Sequence, residues 1–122
     1  MSLNKELVKK YKDVVTKIGI YSIKNLKTGK LYLGYAANIE ARINRHKFEL
    51  KYGSEQVNEL LSDYKKYGED AFEYSTVAEV KQDKEKGYDY KSELVELYLL
   101  WLEELNPYDE RGYNDREEKI KR

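Results

Sequence analysis

Residues 17–51 have the sequence KIGIYSIKNLKTGKLYLGYAANIEARINRHKFELK, and this stretch sets the architecture of the chain. Residues 18–24 and 30–35 alternate in polarity and are rich in β-branched and aromatic side chains, which is typical of strands. The residues between them, Asn25-Leu26-Lys27-Thr28-Gly29, have the composition of a turn. A β-hairpin is therefore predicted.

Strand alternation predicts which side chains of this hairpin lie together. On the first strand, Gly19, Tyr21 and Ile23 share one face, while Ile18 and Ile20 share the other. On the second strand, Tyr32 points away from the face that its neighbours Leu31 and Leu33 share.

A helix over residues 38–51 is predicted after the hairpin, with Asn38 as its N-cap. Arg42 and His46 lie one turn apart on this helix, at positions i and i+4. Two tyrosines, an arginine and the single histidine of the chain are thus contributed by three successive local elements.

The rest of the chain continues the alternation of helices and strands. Residues 71–80 alternate, with Phe72, Tyr74, Thr76, Ala78 and Val80 on one face and a solvated opposite face, so an antiparallel sheet is favoured. The other predicted elements are an amphipathic helix over 4–16, a helix over 55–67 closed by Gly68, a polar loop over 81–90 and an apolar helix over 92–105. These elements predict a small α+β fold, a three-stranded antiparallel sheet flanked by helices.

The composition excludes several kinds of protein and site. At 122 residues the chain is one domain, and it has no cysteine and one histidine, which excludes disulfides, thiolate metal sites and multi-histidine metal sites. It has no apolar run that could span a bilayer and no signal-peptide segment, so a cytoplasmic, intracellular protein without membrane contact is expected. We divide it into an N-terminal helix (1–16), a main domain (17–115) and a charged tail (116–122).

Charge is unevenly distributed although the net charge is zero. Residues 17–51 carry a net charge of +6 and residues 52–122 a net charge of −8. The positive block permits a local surface for a polyanion, although both halves are also compatible with ordinary solvated faces.

The ordered motifs resemble the GIY-YIG nuclease family. Gly19-Ile20-Tyr21 is followed after ten residues by Tyr32-Leu33-Gly34, with Leu where the family usually has Ile, and then by Arg42 and His46 on a helix. The resemblance extends over about residues 17–115 and is greatest to the phage and intron-encoded homing-type branch. The other motifs that support the resemblance are Lys66-Tyr67-Gly68, Phe72-Glu73, Trp101-Leu102-Glu103-Glu104-Leu105-Asn106 and Gly112-Tyr113-Asn114.

The resemblance implies a role for each of five side chains in cutting DNA phosphodiesters. Tyr21 is implied as the general base and Tyr32 as a residue that fixes the water and the phosphate. Arg42 can bind phosphate oxygens in a bidentate manner, and His46 can donate to phosphate or transfer a proton near neutral pH. Asn114 is implied to hold the site together. Taken singly, each has an ordinary structural explanation, and the joint spacing makes the functional interpretation the better one.

The metal ligand is the exception. The family holds one divalent cation, usually Mg²⁺ (or Mn²⁺), with a glutamate on the last helix, and an ungapped alignment places Tyr98 at that position. Glu96 lies about 200° around the helix from Tyr98 and Glu93 about 140°, so Glu96 is only a weak candidate. Either the alignment slips by one or two residues or the carboxylate has been lost. A tyrosine does not replace it, because phenolate is scarce at neutral pH.

Three functions therefore stay open at the level of the sequence. The first is a DNA endonuclease that uses a divalent metal. The second is a catalytically degenerate domain that binds DNA or a protein, and the third is an interaction domain that shares only the architecture.

Overall fold

The computed structural model describes residues 16–81 and 90–118. In these ranges the elements are β1 (Gly19–Asn25), β2 (Leu31–Ala36), α1 (Ile39–Tyr52), α2 (Asn58–Tyr67), β3 (Phe72–Glu79) and α3 (Tyr90–Leu105). Short 3-10 turns precede β3 and follow α3. Apart from Thr16, which is not helical, the helix predicted over 4–16 lies outside the described residues, as does most of the loop predicted over 81–90. None of the described helices combines the length and apolar character that a membrane crossing requires.

The three strands form one antiparallel sheet in the order β2-β1-β3. This arrangement, with helices packed on it, confirms the predicted α+β class. In the hairpin, Tyr21 lies opposite Gly34 and Ile23 lies opposite Tyr32. The hairpin turn places Gly29 at φ 81°, a left-handed conformation that glycine adopts without steric cost.

The central strand β1 is buried on both faces. Tyr21 and Ile23 belong to the core that α1 and α2 cover, whereas Ile20 and Leu33 belong to a second core that α3 covers. The division of side chains predicted from alternation in the hairpin is confirmed.

The third strand departs from its predicted alternation. Ala78 lies opposite Ile20, but Thr76 lies opposite Tyr21, which leaves Val77 as an extra residue in β3. Such a β-bulge reverses the facing of every side chain beyond it. The first half of β3 therefore packs on the α1–α2 side and its second half on the α3 side. The prediction of one continuous face with a solvated opposite face was wrong for this reason.

The first and last helices begin and end close to their predicted limits. The side chain of Asn38 caps α1, its Oδ1 accepting from the backbone N–H of Ala41 at 3.0 Å. The last helix, α3, begins two residues before the predicted start and ends where Asn106-Pro107 follows. Asn106 has φ 47°, which turns the chain out of the helix.

The second helix begins three residues later than predicted. After α1 the chain turns at Gly53, which has φ 78°. The backbone N–H groups of Ser54 and Glu55 then donate to the carbonyl of Glu49, at 2.8 and 3.2 Å. Residues 53–57 are thereby folded back against the end of α1, and Glu55 lies beside that helix instead of within α2.

The segment after α3 packs along the outer edge of β2, the edge that does not pair with β1. Gly112 pairs with Leu31 in a parallel bridge, and the N–H of Tyr113 donates to the Leu31 carbonyl at 3.0 Å. The same course brings Asn114 and Glu118 to this edge of the sheet.

Candidate active site

Three buried polar side chains form a hydrogen-bonded chain on the α1 side of the sheet. The Tyr21 hydroxyl lies 2.7 Å from Nε2 of His46, and Nδ1 of His46 lies 2.9 Å from Oε2 of Glu55. All three residues are less than 10% exposed. A carboxylate can only accept, so Glu55 fixes the histidine proton on Nδ1 and leaves Nε2 to accept the proton of the Tyr21 hydroxyl.

The glycine of the Tyr-x-Gly motif makes the room that Tyr21 occupies. Gly34 lies directly opposite Tyr21 on the neighbouring strand. A Cβ at position 34 would lie 2.3 Å from Cζ of Tyr21 and 2.4 Å from its hydroxyl oxygen. The two motifs therefore depend on each other sterically, because the Tyr21 ring occupies the space that a side chain at position 34 would need.

Tyr32 and Arg42 complete the site on its open side. The ring centroid of Tyr32 lies 6.3 Å from that of Tyr21 and 5.5 Å from that of His46. Arg42, one turn before His46 on α1, is exposed. It borders a cleft of ≈ 170 Å³ whose other lining residues are Tyr32, Arg45, His46, Glu49, Glu55, Gln56 and Val57. The structure thus brings together the four side chains predicted from residues 17–51.

The two tyrosines are held in the neutral form. Burial, and then repulsion between the two phenols, raises the pKa of Tyr21 far above its ordinary value of 10.0, with Arg42 acting in the opposite direction. Burial, and then the Glu118 carboxylate, raises the pKa of Tyr32 to about 12. Neither phenol therefore ionises by itself near neutral pH, and the base that Tyr21 contacts is His46.

Asn114, the fifth predicted residue, fastens the edge of the sheet next to the cleft. Its Oδ1 accepts from the N–H of Leu33 at 2.8 Å and its Nδ2 donates to the Leu33 carbonyl at 2.7 Å. Leu33 stands between Tyr32 and Gly34, so this amide holds the strand segment that carries the second motif.

Comparison with known proteins agrees with this geometry. Residues 17–114 match the family described as the GIY-YIG catalytic domain. The chain belongs to the GIY-YIG family. It is 34% identical over 98 residues to intron-associated endonuclease 1 of Enterobacteria phage T4, a match that covers 80% of this chain and 36% of the relative. The chain thus spans little more than a third of that relative's length.

Solved structures of this GIY-YIG type show the same fold. The catalytic domain of the homing endonuclease I-TevI matches with a TM-score of 0.66 and 33% identity, over 80% of this chain and 97% of that domain. A point mutant of the same catalytic domain matches with a TM-score of 0.66 and 33% identity, over 81% of this chain and 93% of that one. The predicted similarity to the homing-type branch is confirmed.

On the last helix, the residue at the position predicted for the metal ligand does not suit a divalent cation. Tyr98 lies there, 1% exposed, and burial followed by the Glu118 carboxylate raises the pKa of its phenol well above 10.0. Such a neutral hydroxyl is a poor ligand for a hard cation. Glu96 lies on the exposed face of α3, opposite to buried Tyr98, and is not brought to the site. Within residues 16–81 and 90–118, no three His, Cys, Asp or Glu side chains are grouped to hold a metal.

Two carboxylates at the site were not found from the sequence. Glu55 falls in a segment whose pattern predicts helix, and only the reversal at Gly53 carries it beneath His46. Glu118 falls in the predicted charged tail, yet its Oε2 accepts a hydrogen bond from the Tyr98 hydroxyl at 2.9 Å. The one local signal for Glu55 is the Gly53-Ser54 pair, which marks a helix end just before it.

Proposed function

We propose that this chain is a DNA endonuclease that hydrolyses phosphodiester bonds. The observation that carries the proposal is the hydrogen-bonded chain from Glu55 through His46 to Tyr21, of which His46 and Glu55 border the cleft beside Arg42. Membership of the GIY-YIG family and the likeness to a phage homing-endonuclease domain support it.

Proton transfer in this site would run from water inward. The Tyr21 oxygen takes a proton from the attacking water while its own proton passes to Nε2 of His46, and the resulting hydroxide adds to phosphorus. The imidazolium that forms is stabilised by the Glu55 carboxylate at Nδ1, as in other carboxylate–histidine pairs. The phosphorus–oxygen bond to the leaving group breaks, and solvent at the open cleft protonates the leaving oxygen.

Arg42 and Tyr32 would act on the phosphate. A guanidinium presents paired donors in a plane that matches two phosphate oxygens, and its charge balances the negative charge that grows in the transition state. The hydroxyl of Tyr32 can orient the water or the phosphate, because its raised pKa keeps it a hydrogen-bond donor. Both residues border the same cleft as His46.

DNA is the substrate that the charge distribution favours. The net charge of +6 within residues 17–51 coincides with the elements that build the cleft. On α1, Arg42 and Arg45 border the cleft and are exposed, and Lys47 and Lys51 are exposed farther along the same helix. Cations on one helix beside a cleft attract a phosphate backbone. The intracellular location predicted from the sequence stays a prediction.

A cleavage assay tests the proposal. Purified protein is incubated with supercoiled plasmid and with branched DNA, with Mg²⁺, with Mn²⁺ and with a chelator. We expect nicking by the wild type and at least a ~10²-fold slower rate in Tyr21→Phe, because the proton-accepting oxygen is removed. Tyr67→Phe, which changes a tyrosine outside this hydrogen-bonded chain, serves as the matched control and should cut like the wild type.

The same assay tests the alternative that this chain is a catalytically degenerate domain, which binds DNA without cutting it. DNA retention in a gel-shift experiment together with no nicking under any metal would contradict the nuclease proposal and support a binding module. Nicking that persists equally in Tyr21→Phe would show that the activity does not come from this site.

A further inference from the structure

Two aromatic side chains, Phe48 and Tyr52, lie side by side on the outward face of α1 and are called the aromatic pair below. They are 62% and 66% exposed, and their ring centroids are 4.6 Å apart at an interplanar angle of 45°. The other large hydrophobic side chains that residues 16–81 and 90–118 expose, Leu26 and Leu100, are aliphatic. Burial of an aromatic ring is strongly favourable, so two contacting rings left in solvent mark a surface that a partner covers.

The aromatic pair continues the row of arginines that borders the cleft. Arg42, Arg45 and Phe48 follow one another at intervals of three residues, which places them in one row along the helix surface. Tyr52 lies one turn after Phe48 and extends this row. Nζ of Lys51 lies 5.7 Å from the centroid of the Tyr52 ring. The row therefore begins at the cleft, ends at the aromatic pair and has cations at both ends.

The distribution of carboxylates decides on which side of the row a phosphate backbone lies. Phe48 also lines a groove that shares no lining residue with the cleft. That groove holds two carboxylates, Glu69 and Asp70, which offset its two lysines. Phosphate is therefore not drawn into this groove, and the cleft side of the row is the side that attracts it.

The cleft offers phosphate an exposed guanidinium. Its two carboxylates are each bonded within the protein, Glu49 to Arg45 at 2.7 Å and Glu55 to His46 at 2.9 Å. Arg42 is exposed beside them. The six residues from Arg42 to the first ring of the aromatic pair rise about 9 Å, roughly three nucleotide steps of a stacked strand. A strand with its phosphate at Arg42 thus has later bases beside the rings.

Stacking is the interaction that exposed ring faces offer to DNA. Every base has a π-face, so stacking on a protein ring tolerates any sequence. In a duplex both faces of a base are covered by its neighbours, whereas the bases of a single-stranded segment are free to stack on an aromatic side chain. The aromatic pair therefore fits unpaired bases.

We propose that Phe48 and Tyr52 stack on unpaired bases of the DNA substrate, about three nucleotides from the phosphate that is cut. The proposal rests on the endonuclease function proposed above. It names the substrate class of that function as branched or locally melted DNA, because such DNA presents a single-stranded segment next to a phosphate that the cleft can bind.

Fluorescence anisotropy tests the surface without cleavage. A labelled oligothymidylate strand is titrated with protein in the presence of a chelator. We expect Phe48→Ala and Tyr52→Ala each to weaken binding by about 10-fold, because a stacked base is lost. The dependence of affinity on salt should stay that of the wild type, since no cation is removed. Leu100→Ala, which shortens an equally exposed side chain on α3, is the control and should bind like the wild type.

Two further variants at position 48 separate stacking from simple apolar contact. Phe48→Trp keeps an aromatic face, so binding should stay within a few-fold of the wild type, and the introduced indole should be quenched when the strand binds. The wild type, which has Trp101 alone, gives the background. Phe48→Leu keeps apolar bulk without a ring and should bind as weakly as Phe48→Ala. Wild-type affinity in Phe48→Leu, or in both alanine variants, would overturn the proposal.

Sedimentation velocity of the free protein tests a second copy of the chain as the partner of this surface. A dimer that Phe48→Ala and Tyr52→Ala dissociate, with strand binding unchanged, would assign the aromatic pair to self-association and overturn the proposal. A monomer whose strand binding depends on the rings supports it.

The cleavage assay, run on the same variants, separates this proposal from the function it rests on. Ring-dependent strand binding by a wild type that never nicks DNA would contradict the endonuclease but support the stacking surface. Plasmid nicking, with equal strand binding in the wild type and the two alanine variants, would support the endonuclease and reject the surface.

Discussion

Nδ1 of His46 lies 2.9 Å from Oε2 of Glu55, and both side chains are buried. The pair fixes which imidazole nitrogen faces Tyr21, and it provides a negative charge beside the ring that accepts the proton. Glu55 is thus a positioning residue that acts on the reaction through His46.

Replacing this carboxylate should slow the reaction without unfolding the protein. Glu55→Gln keeps the shape and an acceptor oxygen, but the imidazolium loses its counter-charge, so we expect single-turnover cleavage to slow by about 10²-fold. DNA binding in a gel-shift experiment should stay at the wild-type level, which separates a slower chemical step from a loss of structure. Glu49→Gln changes another acid of the same cleft and is the matched control. A wild-type rate in Glu55→Gln would remove Glu55 from the mechanism.

Arg42 and Arg45 offer a comparison of two exposed arginines on one helix. Nε of Arg45 is paired with Glu49 at 2.7 Å, whereas Arg42 lies next to the two tyrosines, whose pKa values its charge lowers. We expect Arg42→Ala to lower the cleavage rate by about 10²–10³-fold, because a donor to the transition-state charge is lost. Arg45→Ala should change the rate only a few-fold, through weaker DNA binding. Equal losses in the two variants would assign Arg42 to general electrostatics alone.

Sequence patterns predicted the parts of the fold that depend on local periodicity. The alternation around Tyr21 and Tyr32 and the cap at Asn38 are properties of a few adjacent residues, and all three appear in the structure. The bulge at Val77 escaped prediction because a valine fits either face of a strand, and only pairing with β1 selects the register. An interrupted alternation that contains no glycine or proline carries no local signal.

The acidic residues of the site depend on contacts between distant parts of the chain. Glu55 is nine residues from His46 and comes beneath it only because the chain reverses at Gly53. Glu118 meets Tyr98 across 20 residues, in a segment whose composition is that of a solvated tail. Position 98 itself was recognised from the sequence as unusual, but its contact with Glu118 depends on the folded sheet edge.

The close approach of Tyr21 to Gly34 predicts a strong effect of one added methyl group. Gly34→Ala puts a Cβ 2.3 Å from the Tyr21 ring, so the ring must leave its place and its hydrogen bond to His46. We expect a destabilisation of about 1–3 kcal/mol in chemical denaturation and a loss of cleavage comparable to that of Tyr21→Phe. Gly29→Asn is the control, because position 29 is open and asparagine tolerates positive φ. Normal cleavage by Gly34→Ala would show that the Tyr21 ring moves without functional loss.

Asn114 should matter for stability through the backbone of Leu33. Asn114→Ala removes the acceptor of the buried Leu33 N–H and the nearer of two donors to the Leu33 carbonyl, so we expect the free energy of unfolding to fall by about 1–3 kcal/mol. Asn44→Ala, at an exposed position of α1, should change stability little. Thermal and urea denaturation measure both. If Asn114→Ala kept full stability, the hydrogen bonds from the Asn114 amide to Leu33 would not contribute to holding β2 in place.

The buried tyrosines predict that stability falls at alkaline pH. Burial, and then Glu118, raises the pKa of Tyr32 from 10.0 to about 12, so between these values the unfolded chain has lost a proton that the folded protein keeps. Stability is therefore full below pH 10 and decreases as pH rises, by about 1 kcal/mol from Tyr32 alone at pH ~11 and by at most about 3 kcal/mol near its folded pKa and above. Urea denaturation between pH ~8 and ~11 measures the slope, and Tyr32→Phe should make it shallower. The same slope in both proteins would mean that Tyr32 ionises as readily in the folded protein as in the unfolded chain.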